Sequence, residues 1–220
     1  MRKRAAPRSG GRPSREAAER LGETILDAAT ELFLSDGYGV TSIETIAKRA
    51  RISKRTFYAR FRDKAELFGA VVHRVVERLR PAGGDARLFE GGTIEEILTR
   101  LARLILRAAL SPEALALHRV ILAEATRFPD LAAVVTEQGG SREAIARIAA
   151  LLERETRAGR LGVTDALFAA AQFLQMVVGL PQRRALGLGT PMTVPELDAW
   201  ARDTVDLFLR GCRGKARGKA

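Results

Sequence analysis

The sequence predicts an all-α protein in which a small N-terminal group of three helices precedes a larger helical body. Three observations carry that expectation. Apolar residues recur at i, i+3, i+4 and i+7 in one segment after another, with no β-period of useful length. Most of these segments open on a Ser, Thr or Asp able to accept from first-turn N–H groups, several with Glu three residues on. At 220 residues and 46% hydrophobic composition, the chain can bury a substantial core.

Ser14 can cap a first helix whose stripe runs through Leu21, Ile25, Ala28, Leu32 and Phe33 and stops at Gly37, a favoured residue just past a helix end. Thr41 and Glu44 read as a capping box for a second helix, with Ile43, Ile46, Ala47 and Ala50 on one face. Ser53 caps a third. Ile52 before it and Phe57 within it are placed for a hydrophobic staple, and Phe57 and Phe61 share its buried side. Asp63 and Glu66 repeat the box and start a fourth helix over 64–79, rich in apolar residues from Leu67 to Val76.

Pro81, Gly83, Gly84, Gly91 and Gly92 read as a flexible connection. Thr93 with Glu96 caps the next helix, and Ser111-Pro112 opens one that reaches about Thr126. A stretch from Pro129 is interrupted at Gly139-Gly140 and resumes over 141–159. Residues 164–186 are apolar nearly all round, and Thr193 with Glu196 caps a last helix over 195–210. The organisation expected is a disordered basic arm over 1–15, a three-helix domain over 16–64, a helical body over 65–211 and a basic tail over 212–220. The helix 64–79 connects the two domains.

Charge divides the chain by task. The formal net charge is +11, yet the six cations of residues 1–15 and the five after Asp206 have no acid among them, which leaves residues 16–206 formally neutral. Within that neutral stretch, residues 41–64 hold eight Lys/Arg against Glu44 and Asp63. Cations concentrated on two capped helices with an apolar skeleton read as a helix-turn-helix that docks on DNA. Such a reader probes base edges from the start of its second helix, where Lys54, Arg55 and Thr56 stand behind Ser53. Thr41, Ser42, Tyr58 and Lys64 are the candidates for holding phosphates.

The runs ILDAATELFLSDGYGVTSIETIAKRA, SKRTFYARF and DKAEL, with Gly37-Tyr38, Thr41, Tyr58, Phe61 and Lys64 at key positions, resemble the N-terminal domain of the tetracycline-repressor (TetR) family of bacterial transcription regulators. The likeness covers roughly Glu23 to Leu67 and departs at Arg51, where the family's turn usually carries Gly. A non-glycine residue forced to positive φ there costs roughly 1 kcal/mol.

The resemblance implies a dimer on a palindromic double-stranded DNA operator, and a C-terminal domain that binds a small-molecule effector and dimerises through its last two long helices. On that pattern Val72, Val76, Leu101, Ile105, His118, Ile121, Leu122, Phe128, Phe173 and Met176 are candidates to line the effector pocket. Ala166, Ala169, Ala170 and Gly179, with Leu197, Ala201, Val205 and Phe208, are candidates for the homodimer interface. Few buried charges are expected around such a pocket, so the effector should be mostly apolar.

Nothing in the sequence calls for catalysis, a cofactor or a metal. His73, His118 and Cys212 lie far apart in the chain and make no ligand spacing, and no phosphate-binding glycine loop occurs. No signal-peptide core follows the N-terminal charges, and no apolar run of about 20 residues is available to span a membrane, so a cytoplasmic protein is expected.

Overall fold

A computed structural model describes residues 15–78, 86–129, 131, 133 and 141–212. The N-terminal arm up to residue 14, the Ser14 cap, Pro81, Gly83, Gly84, the Gly139-Gly140 interruption and the tail from 213 lie outside them. The described residues form helices and turns without a strand. In chain order the helices are α1 (Arg15–Ser35), α2 (Ile43–Arg49), α3 (Lys54–Tyr58), α4 (Lys64–Arg78), α5 (Ala86–Phe89), α6 (Ile94–Ala109), α7 (Pro112–Glu124), α8 (Ser141–Arg157), α9 (Ala166–Ala185) and α10 (Val194–Cys212). The chain divides into two compact units, Met1–Leu67 and Phe68–Ala220, so the division falls inside α4.

In the first unit α1 packs on α2 and α2 on α3. The apolar stripe expected for α1 is its inner face: Ile25, Ala28, Ala29, Leu32 and Phe33 are buried there. Ile46 and Ala47 of α2 and Phe57 of α3 complete this small core.

The second unit is built on α6, α8, α9 and α10. α9 lies against α8 and α6, and α10 against α6 and α9. Leu98, Ala102, Leu152, Phe173, Val177, Ala201 and Val205 are fully or almost fully buried between them. Three helices of this unit start as the sequence predicts, and α9 has a cap at Asp165 that was not expected. Thr93 and Glu96 form a complete capping box, Ser111 accepts from Ala114 N–H ahead of Pro112, and Asp165 accepts from Phe168 N–H. Glu196 accepts from the N–H and the hydroxyl of Thr193. The short α5 was not expected; the sequence reads as a glycine-rich connection there, but Leu88 and Phe89 pack on the core.

Helix α9 has Pro181 in its interior, buried. Proline has no N–H, so the carbonyl four residues earlier, Val177, loses its helical donor. The Trp200 indole of α10 supplies one, donating to Val177 O at 3.0 Å. A break in one helix is thereby repaired from its neighbour, which ties α9 to α10. An ion pair between Arg103 of α6 and Asp198 of α10, at 2.6 Å, adds a second tie at the surface.

Candidate nucleic-acid interface and ligand cavity

The two short helices of the first unit are capped alike. Ser42 accepts from Thr45 N–H at 3.0 Å and shares a 2.8 Å hydroxyl contact with the Thr45 side chain. Ser53 does the same with Thr56, at 3.1 and 2.8 Å. The cap of α2 is therefore Ser42 and not Thr41, and the expected Thr41–Glu44 box does not form. Thr41 is only 2% exposed, and its hydroxyl points at the carbonyls of Gly37 (2.7 Å) and Leu32 (3.2 Å) at the end of α1. A buried hydroxyl engaged in this way cannot reach a phosphate, which corrects its place among the DNA-binding candidates.

Lys64 is drawn inward too. Its ammonium donates to Tyr38 O at 2.7 Å and Thr41 O at 2.9 Å, and it sits 4.3 Å from the centre of the Tyr38 ring. Tyr38 in turn packs on Phe33, their ring centres 5.5 Å apart. Gly37, with φ of 90°, makes the turn that lets the chain double back. Gly37, Tyr38, Thr41 and Lys64 thus form one lock that holds α1, the start of α2 and the start of α4 together. At the α4 start Asp63 accepts from Glu66 N–H, while the Glu66 carboxylate reaches past it to Arg62 N–H.

The turn between α2 and α3 is a left-handed helix cap. Arg51 has φ of 56°, its N–H donates to Lys48 O at 3.2 Å, and Ile52 N–H reaches back to Ala47 O at 2.9 Å. The same two bonds, five residues back and three back, close α8 around Gly159 and α9 around Gly187. Arg51 adopts the conformation glycine holds at the other two.

What remains outward on α3 is Lys54, Arg55 and Tyr58, the last 55% exposed with its ring edge-on to Phe57. Ser42 and Ser53 are exposed, and Thr56 is half-buried beside Ser53. Lys54 is paired with Glu44 of α2, which holds the Glu44 carboxyl below its ordinary range through a hydrogen bond and the lysine's charge. Arg49 is paired in the same manner with Glu31 of α1. Sequence reading missed both pairs because their partners lie 10 and 18 residues away. It also missed Gly22, where a β-carbon would stand 3.1 Å from the Arg60 guanidinium, so this glycine makes room for that cation on α1.

The second unit holds a cavity of about 490 Å³. Of the ten pocket candidates, Val72, Val76, Leu101, Ile105, His118 and Ile121 line it. Four do not. Leu122 is 61% exposed, Phe173 is fully buried with its ring 5.0 Å from Phe208, Met176 packs on the core, and Phe128 lies half-buried beside Arg127. Helical spacing alone does not separate a cavity wall from the core beside it. Leu174, Gln175, Val178 and Gln182 of α9, Glu143 and Arg147 of α8, and Leu88 and Phe89 of α5 complete much of the wall. Burial pushes the His118 imidazole below its ordinary pKa, favouring the neutral ring.

The interface candidates divide as well. Ala170, Ala201, Val205 and Phe208 are buried inside the protomer, so they build its own core and are not surface. Ala166, Ala169 and Leu197 are partly buried against that core, while Gly179 is exposed with open space around it. The outward apolar residues of these helices are Leu167, Phe168, Val194 and Leu207, each at least 60% exposed.

Among the described residues, no group of three or more His, Cys, Asp or Glu is placed to hold a metal ion, and no helix is long and apolar enough to cross a membrane. A helix-turn-helix unit with exposed cations, carried by a helical body with a cavity of its own, is the architecture of a DNA-binding regulator. Comparison with known proteins makes this specific. Residues 25–71 match the model for bacterial regulatory proteins of the tetR family, and residues 96–211 match that for the C-terminal domain of AefR-like transcriptional repressors. The chain belongs to the TetR family of transcription regulators, which are not enzymes.

Solved relatives include the flavonoid-responsive regulator FrrA, 33% identical with a TM-score of 0.74 over 90% of this chain and 100% of that one. A TetR-family regulator from Mesorhizobium loti is 32% identical with a TM-score of 0.71, over 88% and 97%. The transcriptional activator FasR of Mycolicibacterium smegmatis is 40% identical over 72 residues; that match spans 33% of this chain and 32% of FasR.

Proposed function

We propose that the protein is a ligand-responsive dimeric repressor that releases a palindromic operator when a small, mostly apolar molecule enters the cavity of its second unit. The observation that carries this reading is the cavity itself. Its volume is that of a small-molecule site, and its wall is apolar with a few polar groups from α7, α8 and α9. The responsiveness in FrrA's name, at similar length and fold, supports it. The exposed Leu167, Phe168 and Leu207 on α9 and α10 supply apolar surface for a second copy. A dimer matches DNA because two recognition helices reach successive major grooves about 34–36 Å apart.

Lys54, Arg55 and Thr56 read bases, and Ser42, Ser53 and Tyr58 steady the phosphates. Effector binding favours a state of the dimer that fits the operator less well, and it shifts affinity only by its preference for that state. The test is fluorescence anisotropy with DNA from upstream of the protein's own gene beside a scrambled fragment. Binding that exceeds the scrambled control and falls on addition of neutral aromatic compounds is the expected result. Binding that no compound alters leaves an effector-independent regulator, and the activator name borne by FasR makes a transcription assay the arbiter of sign.

A further inference from the structure

The cavity wall carries two charged side chains among the described residues, Glu143 and Arg147, and they pair with each other. They stand one turn apart on α8, with Arg147 Nη2 donating to Glu143 Oε1 at 2.6 Å. The other polar groups on the wall are the His118 imidazole, the Ser141 hydroxyl and the amides of Gln175 and Gln182. All four can donate and accept without net charge.

We infer that the cavity selects uncharged ring compounds bearing hydroxyl or carbonyl groups and rejects ions of either sign, with the Glu143–Arg147 pair as the element that rejects them. This rests on the reading of the cavity as the effector site and adds to it the class of effector. An anion entering an apolar cavity loses its hydration and needs a cation to replace it. To use Arg147 the anion must compete with Glu143 for it, and the carboxylate then stays beside the newcomer as a like charge. A cationic ligand meets the mirror situation, with Glu143 as its partner and Arg147 as the repelling group. Neutral hydroxyls and carbonyls break no pair, and the two glutamines, lying seven residues apart on α9, offer them donors and acceptors along one face. Both ionic side chains are about two-fifths exposed, so the pair stands where solvent screens it and its effect is moderate.

Two fluorescent probes that share one skeleton separate charge from shape: N-phenyl-1-naphthylamine, which is neutral, and 8-anilinonaphthalene-1-sulfonate, which carries an added sulfonate. The full-length wild type is expected to bind the neutral probe at least about tenfold more tightly than the sulfonate. Glu143→Gln, which leaves Arg147 without that partner, should narrow this ratio roughly three- to fivefold by strengthening sulfonate binding alone, while Arg147→Gln should not narrow it. Ala108→Phe, which fills the cavity from α6, should expel both probes, and thermal melting confirms that each variant is folded.

Equal affinity of the wild type for the two probes overturns the inference. So does a ratio that Glu143→Gln leaves unchanged, and in either case the cavity stands provided Ala108→Phe still expels both probes. Failure of both probes to bind, or binding that Ala108→Phe does not reduce, overturns the cavity reading itself and the inference with it.

Discussion

In the first unit, the residues that carry the family resemblance are mostly turned inward; in the second, apolar residues from six helices line an open space. Gly37, Tyr38, Thr41 and Lys64 stitch three chain segments together through two carbonyl contacts from the threonine and two from the lysine. Lys54, Arg55 and Tyr58 are left to face outward. The cavity wall of the second unit is drawn from α4 to α9, with polar groups set sparsely among aliphatic ones. A DNA reader and the ligand site proposed for the second unit call for opposite uses of side chains. Recognition of bases needs a helix held in one place, whereas a ligand site needs core volume left unfilled.

The largest expected effect breaks the lock in the first unit. Thr41→Val removes the donor to Gly37 O and Leu32 O and should cost about 1–3 kcal/mol, since buried carbonyls lose their partner. In a melting experiment the transition should fall by several degrees, with operator and scrambled DNA weakened together. Trp200→Phe performs the matching experiment in the second unit. It strands Val177 O and should cost about 1–2 kcal/mol. A double-mutant cycle with Pro181→Ala, which restores the missing helical N–H, should make the two effects non-additive; strict additivity would mean the indole does not stand in for that N–H.

Smaller effects sharpen the contrast. Arg51→Gly should stabilise the first unit by roughly 0.5–1 kcal/mol, because it relieves a left-handed residue that carries a β-carbon. Glu155, almost wholly buried at the end of α8, is held by Arg160 at 2.5 Å and Arg154 at 3.4 Å, which keep its carboxyl below the usual glutamate range. It should therefore stabilise the second unit above the ordinary glutamate value near 4.5, a contribution lost as pH falls through the lowered folded value. Compared with wild type, Glu155→Gln should flatten the acid side of the stability profile. Glu44→Gln should leave melting unchanged but release Lys54, raising affinity for scrambled DNA and steepening its salt dependence by about one unit.

The parts of this contrast that the sequence reveals are the local ones. The stripe of α1 and the caps of α3, α4, α6, α7 and α10 depend on residues within one or two turns, so Ser53, Asp63, Thr93, Ser111 and Thr193 could be assigned before any coordinates. The one misplaced cap, Thr41 for Ser42, fails for a non-local reason: two adjacent hydroxyls compete, and the carbonyl end of α1 recruits the first. Phe173 and Val205 read as pocket or interface because apolar spacing is blind to what lies opposite, and in the fold they meet the protomer's own helices. The indole that completes α9 was illegible for the same reason, its partner lying 23 residues away.

The proposed separation of DNA reader from ligand site is tested most directly by Ala108→Phe in an operator-binding titration, run with and without a neutral compound that releases the wild type. The variant should bind operator with wild-type affinity and keep it when the compound is added. Release at the wild-type concentration, or loss of operator affinity in a variant that melts normally, would contradict a receptor confined to the cavity of the second unit.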